Sequence, residues 1–117
     1  MNVATIGTGF IVDWFLTAVQ ESANISCVAM FSRKESSARM LADKYEIDKI
    51  YTNLDDMLKD EEINFVYVAS PNSLHFEHAL KALQAGKNVI CEKPFTSTVE
   101  EFDRLVKEAQ DRHLYLF

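Results

Sequence analysis

The sequence predicts an α/β fold in which helices cover both faces of a doubly wound parallel sheet. Apolar segments of strand length alternate with segments of helical periodicity along all 117 residues, an order typical of βαβ units. The segment FVYVA is apolar almost throughout, as expected of a strand covered on both faces. A glycine turn joins the first strand to the first helix. No linker or repeat interrupts this order, so we expect residues 1–117 to form one domain.

The first half of the chain is expected to contain three strands, each followed by helical residues. The strands are predicted at 2–6, 25–31 and 49–51, the helices at 10–22 and 36–45, and a helical turn at 54–59. Helical spacing predicts that the first helix turns five side chains toward the sheet: Ile11, Trp14, Phe15, Ala18 and Val19. The inner face of the second helix is predicted to hold Ala38, Leu41, Ala42 and Tyr45.

The second half continues the alternation. Strands are predicted at 64–69 and 87–91, with a helix at 73–85 between them and Gly86 as its left-handed terminator. The inner face of this helix is predicted to hold Phe76, Ala79, Leu80 and Leu83. Thr98 and Glu101 have the spacing of a capping box and are expected to open a last helix. Its predicted inner face is Phe102, Leu105, Val106 and Ala109, and residues 114–117 are expected to begin a further strand.

Composition excludes several classes of function. The formal net charge of -6 is spread along the chain and gives no electrostatic footprint for nucleic acid. No apolar run has the length of a membrane span, and the first residues lack the features of a secretory signal, so we expect a cytoplasmic protein without a membrane partner. Cys27 and Cys91 lie in apolar runs, where thiols pack as small hydrophobes, and we expect no metal site.

The turn between the first strand and the first helix has the features of a phosphate site. Gly7, Thr8 and Gly9 supply a tight turn, a backbone that an anion can approach and the amino end of a helix. This arrangement favours a Rossmann-type nucleotide fold. The third glycine of the G-x-G-x-x-G pattern is replaced by Val12, where close packing of helix on strand usually requires Gly or Ala. Taken alone, the pattern is equally compatible with a purely structural turn.

The residues that follow the second strand bear on cofactor choice. In a dinucleotide fold, a carboxylate here binds the ribose of NAD, whereas Arg binds the 2′-phosphate of NADP. The sequence offers Ser32 and Arg33 and no carboxylate at the strand end, so NADP(H) is favoured over NAD(H). The alternative is that Arg33 and Lys34 are solvated loop charges.

The loops after the fourth and fifth strands should face the same crevice as the glycine turn. In the first loop, Pro71 fits the start of a helix and Asn72 can cap that helix or donate to a ribose. His75, in the first helical turn, is predicted to contact the ligand, whereas His78 is expected to be exposed to solvent. In the second loop, Glu92 and Lys93 follow a buried strand directly and are predicted to line the site.

With these motifs, the chain resembles the N-terminal domain of the Gfo/Idh/MocA family, which includes glucose-fructose oxidoreductase and inositol dehydrogenase. The resemblance rests on VATIGTGFI, FSR, VASPNSLHFEHALKAL and VICEKPF. It implies that Lys93 lies at the nicotinamide and is catalytic. It also implies that the cofactor contacts three groups: Thr8, Gly9, Phe10 and Ile11; Ser32 and Arg33; and Ser70, Pro71, Asn72 and His75. Val12 departs from the family pattern, which bears on cofactor affinity more than on the fold.

The resemblance further implies a second α/β domain that supplies most contacts to a sugar or polyol substrate. The chain stops within an apolar strand, LYLF, so we expect residues 1–117 to be the NAD(P)-binding domain of a longer, homo-oligomeric oxidoreductase. This part alone is expected to bind the cofactor without turnover. Two alternatives stay open: a non-enzymatic NADP-sensing module of the same fold, and a methyltransferase, which usually carries an acidic residue after the second strand.

Overall fold

The protein is described from a computed structural model, which describes residues 1–94 and 96–117. Five strands form one parallel sheet: β1 (Asn2–Ile6), β2 (Ser26–Phe31), β3 (Lys49–Tyr51), β4 (Phe65–Val68) and β5 (Asn88–Cys91). Their spatial order is β3-β2-β1-β4-β5, so the order reverses between β1 and β4. This is the doubly wound arrangement, and the predicted Rossmann-type fold class is confirmed.

Helices cover both faces of the sheet. They are α1 (Phe10–Gln20), α2 (Glu35–Lys44), α3 (Leu54–Leu58), α4 (His75–Gln84) and α5 (Val99–Asp111), with a 3-10 turn at Asn72–Leu74 before α4. The core on one face holds side chains of α1 and α2, and the core on the other holds side chains of α3, α4 and α5. Within the described ranges, no helix is long and apolar enough to cross a membrane.

The inner face of α1 differs from the prediction. Val12, Leu16 and Val19 are buried against the sheet, whereas Trp14 is 70% exposed and Ala18 is exposed. Buried positions 12, 16 and 19 form a single helical stripe, rotated by about one residue from the stripe that the aromatic side chains suggested. Trp14 instead forms an edge-to-face pair with Phe10 on the surface, with ring centroids 5.5 Å apart.

The helix ends follow the sequence closely. Gly86 ends α4 with φ +83°, as predicted for a left-handed terminator. Thr98 caps α5 by accepting a hydrogen bond from the Glu101 amide at 3.1 Å, while the Glu101 carboxylate accepts from the Ser97 amide, one residue before the cap. The predicted inner face of α5 is wrong at Phe102, which is 41% exposed; Leu105 and Ala109 are the buried residues.

The last residues add only the beginning of a strand. Leu116 forms a parallel bridge with Val89 of β5, and the backbone of residues 115–117 exchanges hydrogen bonds with Val89 and Cys91. These contacts place residues 115–117 next to β5, and the sequence predicts the beginning of a strand at 114–117.

The two cysteines are packed in the protein. Both are free thiols; Cys27 is half-buried and Cys91 is buried. Burial raises the pKa of Cys27 to about 11 and that of Cys91 to about 12. Because the thiolate is the reactive form, neither side chain is activated at neutral pH.

Candidate functional site

A cleft of about 930 Å³ lies at the carboxyl ends of β1, β2 and β4. This is the point at which the strand order reverses, where open parallel sheets bind their ligands. The structure brings seven of the residues predicted from the sequence into its lining: Gly7, Thr8, Gly9, Ser32, Arg33, Ser70 and Pro71. The predicted residues outside its lining are Phe10, Ile11, Asn72, His75, Glu92 and Lys93.

Gly7 is required where β1 turns into the cleft. Its φ is +115°, a conformation that L side chains rarely adopt. A Cβ at this position would lie 2.6 Å from the carbonyl oxygen of Ala69, which follows β4. The glycine therefore lets the loops after β1 and β4 approach each other and form one side of the cleft.

Gly9 serves a different purpose at the start of α1. Its φ of -77° is accessible to any residue, and a Cβ there would meet no atom within 4 Å. The Gly9 carbonyl accepts from the amides of Val12 and Asp13, but no acceptor in residues 1–94 or 96–117 pairs with the amides of Phe10 and Ile11. Open space beside unpaired amides at a helix amino end fits a pyrophosphate group.

The loop after β2 contributes the positive charge of the cleft. Ser32 is buried, and its amide donates to the Tyr51 carbonyl at 3.1 Å, which ties this loop to β3. Arg33 and Lys34 are exposed, and neither forms an ion pair within the described part of the chain. The described lining contains no carboxylate. This loop therefore offers two cations that an anionic ligand can neutralise.

Two further residues of this loop were missed from the sequence. Lys34 begins α2 as its N-cap, and Ser37 lies in the first turn of that helix; both line the cleft. A signal was present in the sequence, because KESS combines a cation and two hydroxyls at the predicted amino end of a helix, where anions are stabilised.

Both histidines of α4 are buried, which differs from the exposure predicted for His78. His78, predicted to be exposed, is buried and lines the cleft, with its Nδ1 atom 2.8 Å from Ser70 Oγ. Burial lowers the pKa of His78, because a buried imidazole loses the hydration of its charged form. Positions 75 and 78 share one helical face with the buried residues Ala79 and Ala82, so both histidines face inward.

His75 is 1% exposed and lies outside the cleft. Its Nδ1 atom is 2.6 Å from the Pro94 carbonyl oxygen, and its Nε2 atom is 2.7 Å from the Ser70 carbonyl oxygen. Both ring nitrogens are therefore engaged inside the protein. Direct contact between this ring and a cofactor stays a prediction, and the geometry points to a different use of the side chain.

The segment after β5 carries the predicted site residues Glu92 and Lys93, and we call residues 92–94 the lysine turn. Lys93 is exposed and has no ion pair with another described residue, and the Lys93–Pro94 peptide bond is cis. The Glu92 amide donates to the Val68 carbonyl at 3.0 Å, which places the turn beside the end of β4. Phe95, which ends the motif VICEKPF, lies outside the described residues.

Tyr67 is a site residue that sequence reasoning did not identify. Its buried hydroxyl donates a hydrogen bond to Glu92 Oε1, and its ring stacks on Phe15 of α1 at a centroid distance of 3.9 Å. Burial first, and then the neighbouring carboxylate, raise the pKa of Tyr67. The signal was a tyrosine within an otherwise apolar strand, because a buried phenol needs a hydrogen-bond partner.

Comparison with known proteins identifies the family. Residues 1–117 match the Gfo/Idh/MocA oxidoreductase family, described as having an NAD-binding Rossmann fold. The chain is 35% identical over 110 residues to scyllo-inositol 2-dehydrogenase (NADP(+)) IolU of Bacillus subtilis, covering 94% of this chain and 34% of that protein.

Solved structures agree with this assignment. GenD2 from gentamicin A biosynthesis, in complex with NAD, superposes with a TM-score of 0.94 at 28% identity. The match covers 99% of this chain and 33% of the GenD2 chain. Biliverdin reductase from Synechocystis sp. PCC 6803, in complex with biliverdin and NADP+, superposes with a TM-score of 0.91 at 26% identity. The match covers 98% of this chain and 36% of the reductase chain.

These relatives include complexes with both nicotinamide cofactors, and the chain spans about a third of the length of the proteins it matches. The family match covers the whole chain, and the cleft lies where this fold binds dinucleotides. The chain therefore belongs to the Gfo/Idh/MocA family of oxidoreductases, of which it forms an NAD(P)-binding domain.

Proposed function

We propose that this domain binds NADP(H) in preference to NAD(H). The observation that carries the proposal is the charge of the cleft: Arg33 and Lys34 line it without ion pairs, and no carboxylate stands in its described lining to accept ribose hydroxyls. Ser32, Arg33, Lys34 and Ser37 would hold the 2′-phosphate by hydrogen bonds and charge. The name of one relative, scyllo-inositol 2-dehydrogenase (NADP(+)), supports this choice.

The rest of the cofactor has matching partners along the cleft. Gly9 and the first amides of α1, including those of Phe10 and Ile11, would bind the pyrophosphate. Ser70, Pro71 and Asn72 follow β4 and would bind the nicotinamide half. Glu92 and Lys93 follow β5, the next strand.

For the longer protein, we propose reversible hydride transfer between nicotinamide and a hydroxyl-bearing carbon of a sugar or polyol. The cofactor supplies the hydride chemistry when bound, and the protein supplies orientation and proton transfer. The Lys93 ammonium would donate a hydrogen bond to the substrate oxygen and exchange a proton with it. Relatives named scyllo-inositol 2-dehydrogenase and D-xylose 1-dehydrogenase support this substrate class.

The further two-thirds of such a protein would supply most substrate contacts and the subunit interface of a homo-oligomer. Residues 1–117 alone are then expected to bind the cofactor and to lack turnover.

Equilibrium titration with NADPH, NADH and S-adenosylmethionine tests this proposal. We expect saturable binding of both nicotinamide cofactors, with NADPH tighter. Arg33→Ala should weaken NADPH binding by about tenfold or more, because it removes a charge-assisted hydrogen bond to phosphate, and should leave NADH binding nearly unchanged. Arg39→Ala is the matched control, since Arg39 lies on α2, which follows the loop of Arg33, but pairs with Glu35.

Two results would contradict the proposal. Equal loss of NADPH affinity in the Arg33 and Arg39 variants would show that the effect is one of net charge. Saturable binding of S-adenosylmethionine alone would replace the oxidoreductase proposal with a methyltransferase.

A further inference from the structure

Lys93 has no ion-pair partner among the described residues that would hold it in place. Its side chain is exposed. A long, flexible ammonium side chain on a surface turn loses substantial rotamer entropy when it is held still. The lysine turn must therefore be positioned through its neighbours if Lys93 is to meet a nicotinamide and a substrate in one geometry. The two residues beside it, Glu92 and Pro94, are both held by buried side chains.

The first of these contacts precedes the lysine. Tyr67 is 3% exposed, and its hydroxyl donates a hydrogen bond to Glu92 Oε1. Its ring is held between the sheet and Phe15. A hydrogen bond to an ionised acceptor is stronger than a neutral one, and partial burial strengthens it further. The Glu92 amide is also bonded to the Val68 carbonyl, so both ends of this residue are attached to β4.

The second contact follows the lysine. The ring of His75 stands between the Pro94 carbonyl oxygen at 2.6 Å and the Ser70 carbonyl oxygen at 2.7 Å. A carbonyl oxygen only accepts, so a ring nitrogen that carries a proton donates to the oxygen that it faces. His75 thereby joins the lysine turn to the loop after β4, which lines the cleft at Ser70 and Pro71.

We propose that Tyr67 and His75 are positioning residues that hold Lys93 from both sides and connect it to the cofactor cleft. Tyr67 fixes Glu92, the residue before the lysine, and His75 fixes Pro94, the residue after it. Neither side chain lines the cleft, so neither needs to contact the cofactor. This inference rests on the proposed cofactor site, because the position of Lys93 matters only beside a bound nicotinamide.

Lysine labelling with and without NADPH separates positioning from binding. The protein is methylated with formaldehyde and a mild reductant, and the modification of each lysine is read by mass spectrometry of peptides. In the wild-type chain, saturating NADPH should slow the labelling of Lys34 in the cleft and of Lys93 on the turn. Lys107 on α5 is the internal control and should label at the same rate in both conditions, because it lies outside the lining of the cleft.

In Tyr67→Phe, we expect NADPH protection of Lys34 to persist and protection of Lys93 to fall by about tenfold, the factor that corresponds to the loss of one charge-assisted hydrogen bond. His75→Leu should have the same effect. If His75→Leu does not fold, as judged by circular dichroism, the milder Tyr67→Phe substitution carries the test. Tyr51→Phe is the matched control. It removes a hydroxyl that donates to the Asp60 carboxylate, and Tyr51 lies on β3, at the edge of the sheet opposite β5. In this variant, NADPH should protect Lys93 as it does in the wild type.

The outcomes distinguish the two proposals. Protection of Lys34 with undiminished protection of Lys93 in Tyr67→Phe would overturn the positioning role and leave cofactor binding intact. An equal fall of protection at Lys34 and Lys93 would also overturn it, because the variant would then have lost binding in general. No protection of Lys34 in the wild-type chain would overturn the proposed cofactor site, and the positioning inference with it.

Discussion

Replacing Gly7 by alanine should destabilise the protein more than any comparable change in the glycine turn. The residue has φ +115°, and the new Cβ would lie 2.6 Å from the Ala69 carbonyl oxygen and 2.9 Å from its carbon. Both neighbours are backbone atoms, so no side chain can move aside. Backbone strain costs about 1–3 kcal/mol, and forced overpacking costs a further ~1–3 kcal/mol. We therefore expect Gly7→Ala to lower the free energy of unfolding by about 4 kcal/mol.

Gly9→Ala provides the control, because its Cβ meets no atom within 4 Å and its φ is -77°. The Gly9→Ala variant should lose no more than about 1 kcal/mol of stability, the cost of placing Ala, a poorer N-cap than Gly, at the start of α1. Its affinity for NADPH should fall, however, because the methyl group occupies space that we assign to the pyrophosphate. Urea unfolding followed by circular dichroism measures the first effect, with a midpoint shift of about 2 M expected for Gly7→Ala. A Gly7→Ala variant within about 1 kcal/mol of the wild type would refute the close-approach argument.

Two further changes test the core and the charge network. Thr5→Val should raise the free energy of unfolding, measured by urea titration, by about 1 kcal/mol. The buried Thr5 hydroxyl has no hydrogen-bond partner among the described residues, and valine replaces it with a methyl group that needs none. A lower free energy of unfolding would contradict this prediction. Hydrogen bonds from Lys49 and Tyr51 lower the pKa of Asp60 to about 2 from 3.8. The stability that the ionised Asp60 carboxylate gives to the fold is therefore present above about pH 4 and is lost as the pH falls toward about 2. The wild type should therefore lose more stability than Asp60→Asn over this range, and parallel losses would count against the network.

The fold could be predicted because local patterns agree with each other along the chain. Every predicted strand and helix within 2–111 is present, and the ends differ by only a few residues. The alternation of apolar and helical segments fixes the parallel topology, and Gly7 and Gly86 mark turns that need a positive φ. The rotation of α1 could not be predicted in the same way, because apolar residues occupy two adjacent stripes of this helix, one with Trp14 and Ala18 and one with Val12 and Leu16.

The site was predictable where backbone and strand ends form it, and less so where side chains meet across strands. The glycine turn and Ser32–Arg33 follow directly from strand ends, and both line the cleft. The Tyr67–Glu92 pair joins residues 25 positions apart, and it exists only because β4 and β5 pair in register, with Tyr67 opposite Ile90. His75 and His78 are buried because α4 turns the face of Ala79 and Ala82 toward the core, a face displaced by about one residue from the predicted one.

Val12 shows why a departure from the glycine pattern need not damage the phosphate site. Its side chain is fully buried in the core between α1 and the sheet, together with Val3, Met30 and Tyr67. The third position of the pattern therefore acts on helix packing. The anion site that we propose is the open space beside Gly9 and the first amides of α1, which have no acceptor among the described residues. Because Val12 lies on the core side of the helix, its methyl groups lie outside the lining of the cleft. We accordingly expect cofactor affinity to depend on Gly9 and Arg33, with Val12 contributing to the stability of the core on which Tyr67 also packs.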